Sequence, residues 1–95
     1  MERVPINSCR FVGQLYNFNS SVVSGHILGK GELRLVDSQS GQAFQTIKLM
    51  AWYDKAEELA SLESGTWIHV LTSYSPSYFA GNLQDQFVVA EFLVI

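Results

Sequence analysis

Ala51-Trp52-Tyr53-Asp54-Lys55-Ala56-Glu57-Glu58-Leu59 is the stretch on which the reading of the fold turns. Before it, residues 44–53 alternate. Ile47, Leu49 and Ala51 share one face, and Thr46, Lys48, Met50 and Trp52 share the other, which is the period of a half-buried strand. After it the period changes. Ala56, Leu59, Ala60 and Leu62 recur at helical spacing and form a buried side. Asp54 followed by Glu57 matches a capping box with Asp as the N-cap. Gly65 is well placed to end the helix in a left-handed conformation. A strand therefore runs directly into one short helix near the middle of the chain.

On the N-terminal side, residues 26–37 read as a second strand, with Leu33 and Leu35 alternating against Glu32 and Arg34. The polar residues 38–42 make the hairpin loop between the second and third strands. Residues 17–24 are polar and turn-prone. Residues 8–16 read as the first strand, in which Gly13 marks a bulge or a close backbone approach. On the C-terminal side, residues 66–73 form a fourth strand, with Ile68 and Val70 inward and Trp67 and His69 outward. Residues 75–86 form a long hairpin with Pro76 and a Gly81-Asn82 turn. Residues 87–95 form a last strand so apolar that both of its faces are expected to be covered. Three strands, one helix and two strands is the order of an all-β, five-stranded OB-fold Greek-key barrel with a short helix between strands 3 and 4. Residues 1–95 are expected to make one domain.

Composition limits what such a barrel does. The chain has six Lys and Arg against nine Asp and Glu, a net charge of -3, so any nucleic-acid contact must come from a narrow cationic stripe. Cys9 is alone and reads as a small buried hydrophobe. Two histidines, His26 and His69, are too few for a metal cluster, and no metal or cofactor is expected. No apolar run has the length of a membrane span or the form of a leader, so neither a membrane nor a secretory route is expected. Catalysis is not expected either. Cys9 lies mid-strand, Glu57 and Glu58 point different ways on a helix, and no phosphate-binding loop, dinucleotide motif or zinc spacing occurs. No small-molecule substrate is implied.

The quoted stretch resembles a motif of the bacterial and organellar single-stranded-DNA-binding proteins, in which an aromatic ends the third strand and a short helix begins with Lys, Ala and Glu. Phe11-Val12-Gly13-Gln14-Leu15 looks like the first strand of that family, and Gly65-Thr66-Trp67-Ile68-His69-Val70 looks like its fourth. The three occur in the family's order and cover almost the whole chain, which looks close to the short cyanobacterial and plastid members. The resemblance implies sequence-independent binding of single-stranded DNA, with RNA as an alternative strand, in replication, repair or recombination. It also implies a homo-oligomer, dimer or tetramer, acting in the bacterial cytoplasm at the nucleoid or in the plastid stroma. By position, Trp52 matches the strand-three aromatic, Phe79 or Tyr78 the hairpin aromatic, and Lys48 a basic residue on the same surface. The chain also departs from the pattern. Thr46 stands where many members have Trp, and Thr72 replaces a closing glycine. The segment 73–86 has no Lys or Arg and carries Asp85. The family's acidic-tipped tail has no counterpart before Ile95.

Bases stack on exposed aromatics whatever their identity, and cations hold phosphates. The candidate stacking residues are Trp52, Tyr78 and Phe79, with Trp67 and Tyr74 behind them. Arg34, Lys48 and Lys55 are the candidate phosphate contacts, with Arg10 and Lys30 extending the track. Each has another reading. Trp52 would equally cap the barrel, Trp67 and Tyr74 would suit a subunit interface or barrel rim, Tyr78 and Phe79 would pack the hairpin, and Arg34 and Lys48 would be solvated ends of a half-exposed face. The competing function is an OB-fold protein-interaction or oligomerisation module with little nucleic-acid affinity. The acidic balance and the cation-free hairpin favour that alternative, while the aromatics and the strand-three motif favour the strand-binding one.

Overall fold

The structure is a computed structural model that describes residues 8–36, 40, 42–79 and 81–95. The side chains of residues 36, 43, 44 and 77–79 lie outside the described residues. The elements run β1 (Ser8–Val23), β2 (His26–Val36), β3 (Ala43–Trp52), α1 (Tyr53–Ala60), β4 (Thr66–Tyr74), β5 (Ser77–Phe79), β6 (Asn82–Gln84) and β7 (Phe87–Val94). Five of the strands close a barrel in the order β1-β2-β3-β7-β4, with β4 returning to β1, while β5 and β6 form a separate two-stranded ribbon. The barrel pairs are antiparallel except β3 with β7, which run parallel and match at only two positions, Leu49 with Phe87 and Met50 with Val88. This is the OB-fold, with its helix between the third and fourth barrel strands.

Alternation places the core where the sequence puts it. Leu33, Ala51, Ile68 and Val70 have no exposure, and Leu15 and Leu49 almost none. Ala56 and Leu59 of α1 join the same core, with Ala60 and Leu62 packed against it. A leucine buried this fully stabilises the fold by roughly 1.5–3 kcal/mol. Gly13 is a close approach rather than a bulge: a Cβ there would run into the Arg34 carbonyl of the neighbouring strand.

Several expectations need correction. Residues 17–24 are not a turn. β1 continues to Val23, and the turn is confined to Ser24 and Gly25, both at positive φ as a two-residue hairpin requires. The sequence hides this because the register slips between Tyr16 and Asn19, where Asn17 sits at φ 54. The extra residue switches the inward positions from odd (Gly13, Leu15) to even (Phe18), and a period-2 reading loses the alternation there. Phe18 then lies over the glycines of β2. A Cβ on Gly31 would come within 2.7 Å of the Phe18 Cα.

Asp54 is not the N-cap. The helix begins at Tyr53, Trp52 is the N-cap without a side-chain bond, and Asp54 lies in the first turn, where a carboxylate complements the helix dipole. Gly65 does not end the helix. Ser61 does, donating its N–H to Glu57 O and its hydroxyl to Glu58 O at 2.6 Å. Gly65, at φ 93, instead swings the chain into β4 and donates its N–H to Leu15 O at 2.7 Å. In the ribbon Phe79 pairs with Asn82, so Asn82, expected in the turn, already belongs to β6. Cys9 is half-buried rather than buried. The last strand is not covered on both faces, since Leu93 is 71% exposed.

Candidate nucleic-acid interface

The register of β2 on β3 fixes one outer face. Leu28 lies opposite Trp52, Lys30 opposite Met50, Glu32 opposite Lys48, and Arg34 opposite Thr46. The intervening residues Gly29, Leu33, Ile47, Leu49 and Ala51 are buried. Arg34, Lys48 and Trp52 therefore share one surface, and Lys30 joins them. Trp52 faces solvent and does not cap the barrel interior.

Arg34 is held from the next strand. β1 pairs Tyr16 with Glu32 and Gln14 with Arg34, and the Arg34 guanidinium lies 3.9 Å from the centroid of the Tyr16 ring. A cation over a phenol ring at that distance gains about 0.5–1 kcal/mol at an exposed site. The contact also limits the rotamers of a long side chain, so less entropy is lost when the fork meets a phosphate.

At the other end of the face, Trp52 belongs to an aromatic group. Its ring centroid is 6.5 Å from those of Tyr53 and His26, and the latter two are 5.7 Å apart and nearly perpendicular. The Tyr53 hydroxyl and His26 Nδ1 share a hydrogen bond. Tyr53 has φ 52, a conformation costly for an aromatic residue, and it turns the chain out of β3 into α1. Tyr16, Tyr53 and His26 were not among the candidates from sequence. Tyr16 was within reach, because pairing residues 8–16 with β2 puts it next to Arg34. The His26–Tyr53 pair was not, since it depends on the strand–helix junction.

The remaining candidates are dispersed. Lys55 is on α1, where its ammonium is 3.4 Å from Glu58 Oε2 and 5.8 Å from the Phe92 ring centroid, so an ion pair and a ring already engage it. Tyr78 and Phe79 are placed on β5 by their backbone, but their side chains lie outside the described residues. Arg10 and Trp67 face outward on a different surface, that of β1, β4 and β7, where Arg10 pairs with Leu71 and Gln14 with Trp67. Thr72 is fully buried, and its hydroxyl donates to Cys9 O at 3.1 Å.

A groove of about 710 Å³ opens where β3 parts from the segment leading into β7. Lys30, Glu32 and Lys48 border it on one side and Gln84, Asp85 and Gln86 on the other, with Phe11, Ile47 and Phe87 beneath. The Tyr74 hydroxyl donates to Asp85 Oδ1 at 2.5 Å, and the Tyr74 ring lies 5.3 Å from that of Phe87. This hydrogen bond, together with slight burial and the carboxylate charge, raises the Tyr74 phenol above its ordinary pKa, so it remains a donor to Asp85 past neutral pH.

Comparison with solved structures fixes the architecture. The mitochondrial single-stranded-DNA-binding protein Rim1 of S. cerevisiae superposes with a TM-score of 0.77 at 11% identity, over 97% of this chain and 96% of that one. The chain shares its fold. The protein PriB of Ralstonia solanacearum matches with a TM-score of 0.74 at 14% identity, over 95% and 99% of the two chains. A small single-stranded-DNA-binding protein of Streptomyces coelicolor matches with 0.72 at 10% identity, over 98% and 96%. No family model matches the sequence, and no curated protein matches it.

Proposed function

We propose that this chain, as one domain over residues 1–95, binds single-stranded DNA across the outer face of β2 and β3. It serves the handling of exposed strands in replication, repair or recombination, in the bacterial cytoplasm or plastid stroma, and does no covalent chemistry. The observation that carries this reading is the gathering of Lys30, Arg34 and Lys48 with Trp52 on one side of the barrel. A strand laid along it stacks a base on Trp52, worth roughly 1–3 kcal/mol, and sets phosphates against the cations. That two of the solved proteins sharing the fold, Rim1 and the Streptomyces coelicolor protein, bind single-stranded DNA by name supports the same reading.

Three phosphate contacts give a slope of log K against log salt of about -2 on a single strand, and modest affinity per protomer. Self-association would raise it by multivalency. The outer face of β1, β4 and β7 suits a second copy of the chain. Val12, His69 and Leu93 form one row across it, and Arg10, Leu71 and Glu91 form another, with a cation at one end and an anion at the other. A two-fold pairing of such a face sets unlike charges together.

Fluorescence anisotropy of a labelled dT oligonucleotide, at low and moderate salt, tests the proposal. Saturable binding that weakens with salt and quenches tryptophan emission is expected, and Lys48→Glu should weaken it at least about tenfold at low salt. No saturation at micromolar protein in low salt would leave the protein-interaction module as the better account.

A further inference from the structure

Asp85 has no place in a surface that binds phosphates, because its carboxylate repels them. Yet it stands on the lip of the groove whose opposite side is bordered by Lys30 and Lys48, with Glu32 between them. A strand held by those two lysines passes along the groove mouth. The groove floor is apolar, with Phe11 and Phe87 meeting edge to face at 5.2 Å. The Asp85 carboxylate is oriented by the Tyr74 hydroxyl on Oδ1, which leaves acceptor capacity on both oxygens. An apolar slot with a fixed acceptor at its rim suits a flat ring whose edge carries donors. Among the four DNA bases, guanine alone presents two adjacent donors on one edge, N1–H and the N2 amino group. That edge is free in a single strand.

We propose that this groove takes one guanine base from the bound strand, its N1–H and N2–H donating to Asp85 and its ring lying on the Phe87 side of the slot. The side-chain amides of Gln84 and Gln86 border the same lip and carry donors for the guanine O6. The inference rests on the strand-binding reading. Most of the footprint remains indifferent to sequence, and one position reads a base.

The test compares labelled dT15 with the same oligonucleotide carrying dG at its centre, and with hypoxanthine in place of that guanine, which removes only the N2 amino group. The guanine oligonucleotide should bind about tenfold tighter than dT15, within the range of a bidentate base contact, and hypoxanthine should lose most of that gain. Asp85→Asn should bring the ratio of the two affinities close to one while raising the affinity for dT15, since a repelling charge is gone. Equal binding of dT15 and the guanine oligonucleotide by the unaltered protein overturns the inference and leaves strand binding standing. A guanine preference that survives Asp85→Asn overturns it too, by assigning the preference to another site. Failure of every oligonucleotide to bind removes the strand-binding reading and the inference with it.

Discussion

Trp52 on the outer face of β2 and β3 is 41% exposed, and Trp67 on the outer face of β1, β4 and β7 is 39% exposed. Exposure does not separate them, but their neighbours do. Around Trp52 the register brings Lys30 and the rings of Tyr53 and His26, with Lys48 and then Arg34 further along the same face. Around Trp67 it brings Gln14, whose other neighbour is Arg34, then Ile95, whose N–H donates to Trp67 O at 3.0 Å, and two residues along β4 the row of Val12, His69 and Leu93. An aromatic beside cations is a place for a base and its phosphate, and an aromatic beside aliphatic side chains is a place for another protein surface. One barrel thus offers two outer walls of different chemistry, with Lys30, Arg34 and Lys48 on one of them.

That contrast can be broken most severely at Leu93. Leu93→Glu puts a charge at the β7 end of the row of Val12, His69 and Leu93 and should weaken self-association by about 2–4 kcal/mol, seen as monomer in sedimentation velocity. An oligomer that survives the change would place the interface elsewhere. Trp52→Ala should cost roughly 1–3 kcal/mol in affinity for a dT oligonucleotide with the oligomeric state intact. Trp67→Ala should do the reverse, shifting assembly and leaving the affinity of each protomer in place. If both tryptophans affect strand binding alike in a monomeric background, the division between the walls is wrong. The smallest effect is expected at Tyr16→Leu, about 0.5–1 kcal/mol, because it removes only the ring beneath Arg34. It should lower the salt slope, as Arg34→Ala should, which a general loosening of the barrel would not do.

The barrel was legible where alternation is strict. β2, β3 and β4 have their inward residues where a period of two puts them, and the switch to helical spacing after Trp52 places α1 correctly. β1 was read at half its length because a single extra residue near Asn17 inverts the alternation, and the polar composition of Asn17, Asn19, Ser20 and Ser21 then looks like a turn. The helix boundaries were misjudged because Asp54 and Gly65 fit capping patterns that the chain meets with Trp52 and Ser61. Of the candidate residues, strand parity places Arg34, Lys48 and Trp52 on outward positions, and the register puts them on one face. Lys55 was added from its place in the motif, and parity says nothing about which way a helical lysine turns. Tyr16 and the His26–Tyr53 pair depend on which strands are neighbours, which a single strand's pattern does not encode.

The parallel match of β3 and β7, only two positions long, also bears on how the barrel forms. β1 with β2 and β2 with β3 are neighbours along the chain and join across short connections. Leu49 and Phe87 are separated by α1, β4 and the ribbon, so the ends of a long loop must meet before their contact gives anything back. Having only two matched positions, that seam is expected to close late in folding and to open early in unfolding. Weakening Met50 or Val88 would hasten unfolding more than it would slow folding. The groove lies on that seam. A ligand seated there would act as a clasp, and the protein would become harder to unfold in proportion to how tightly it held its strand.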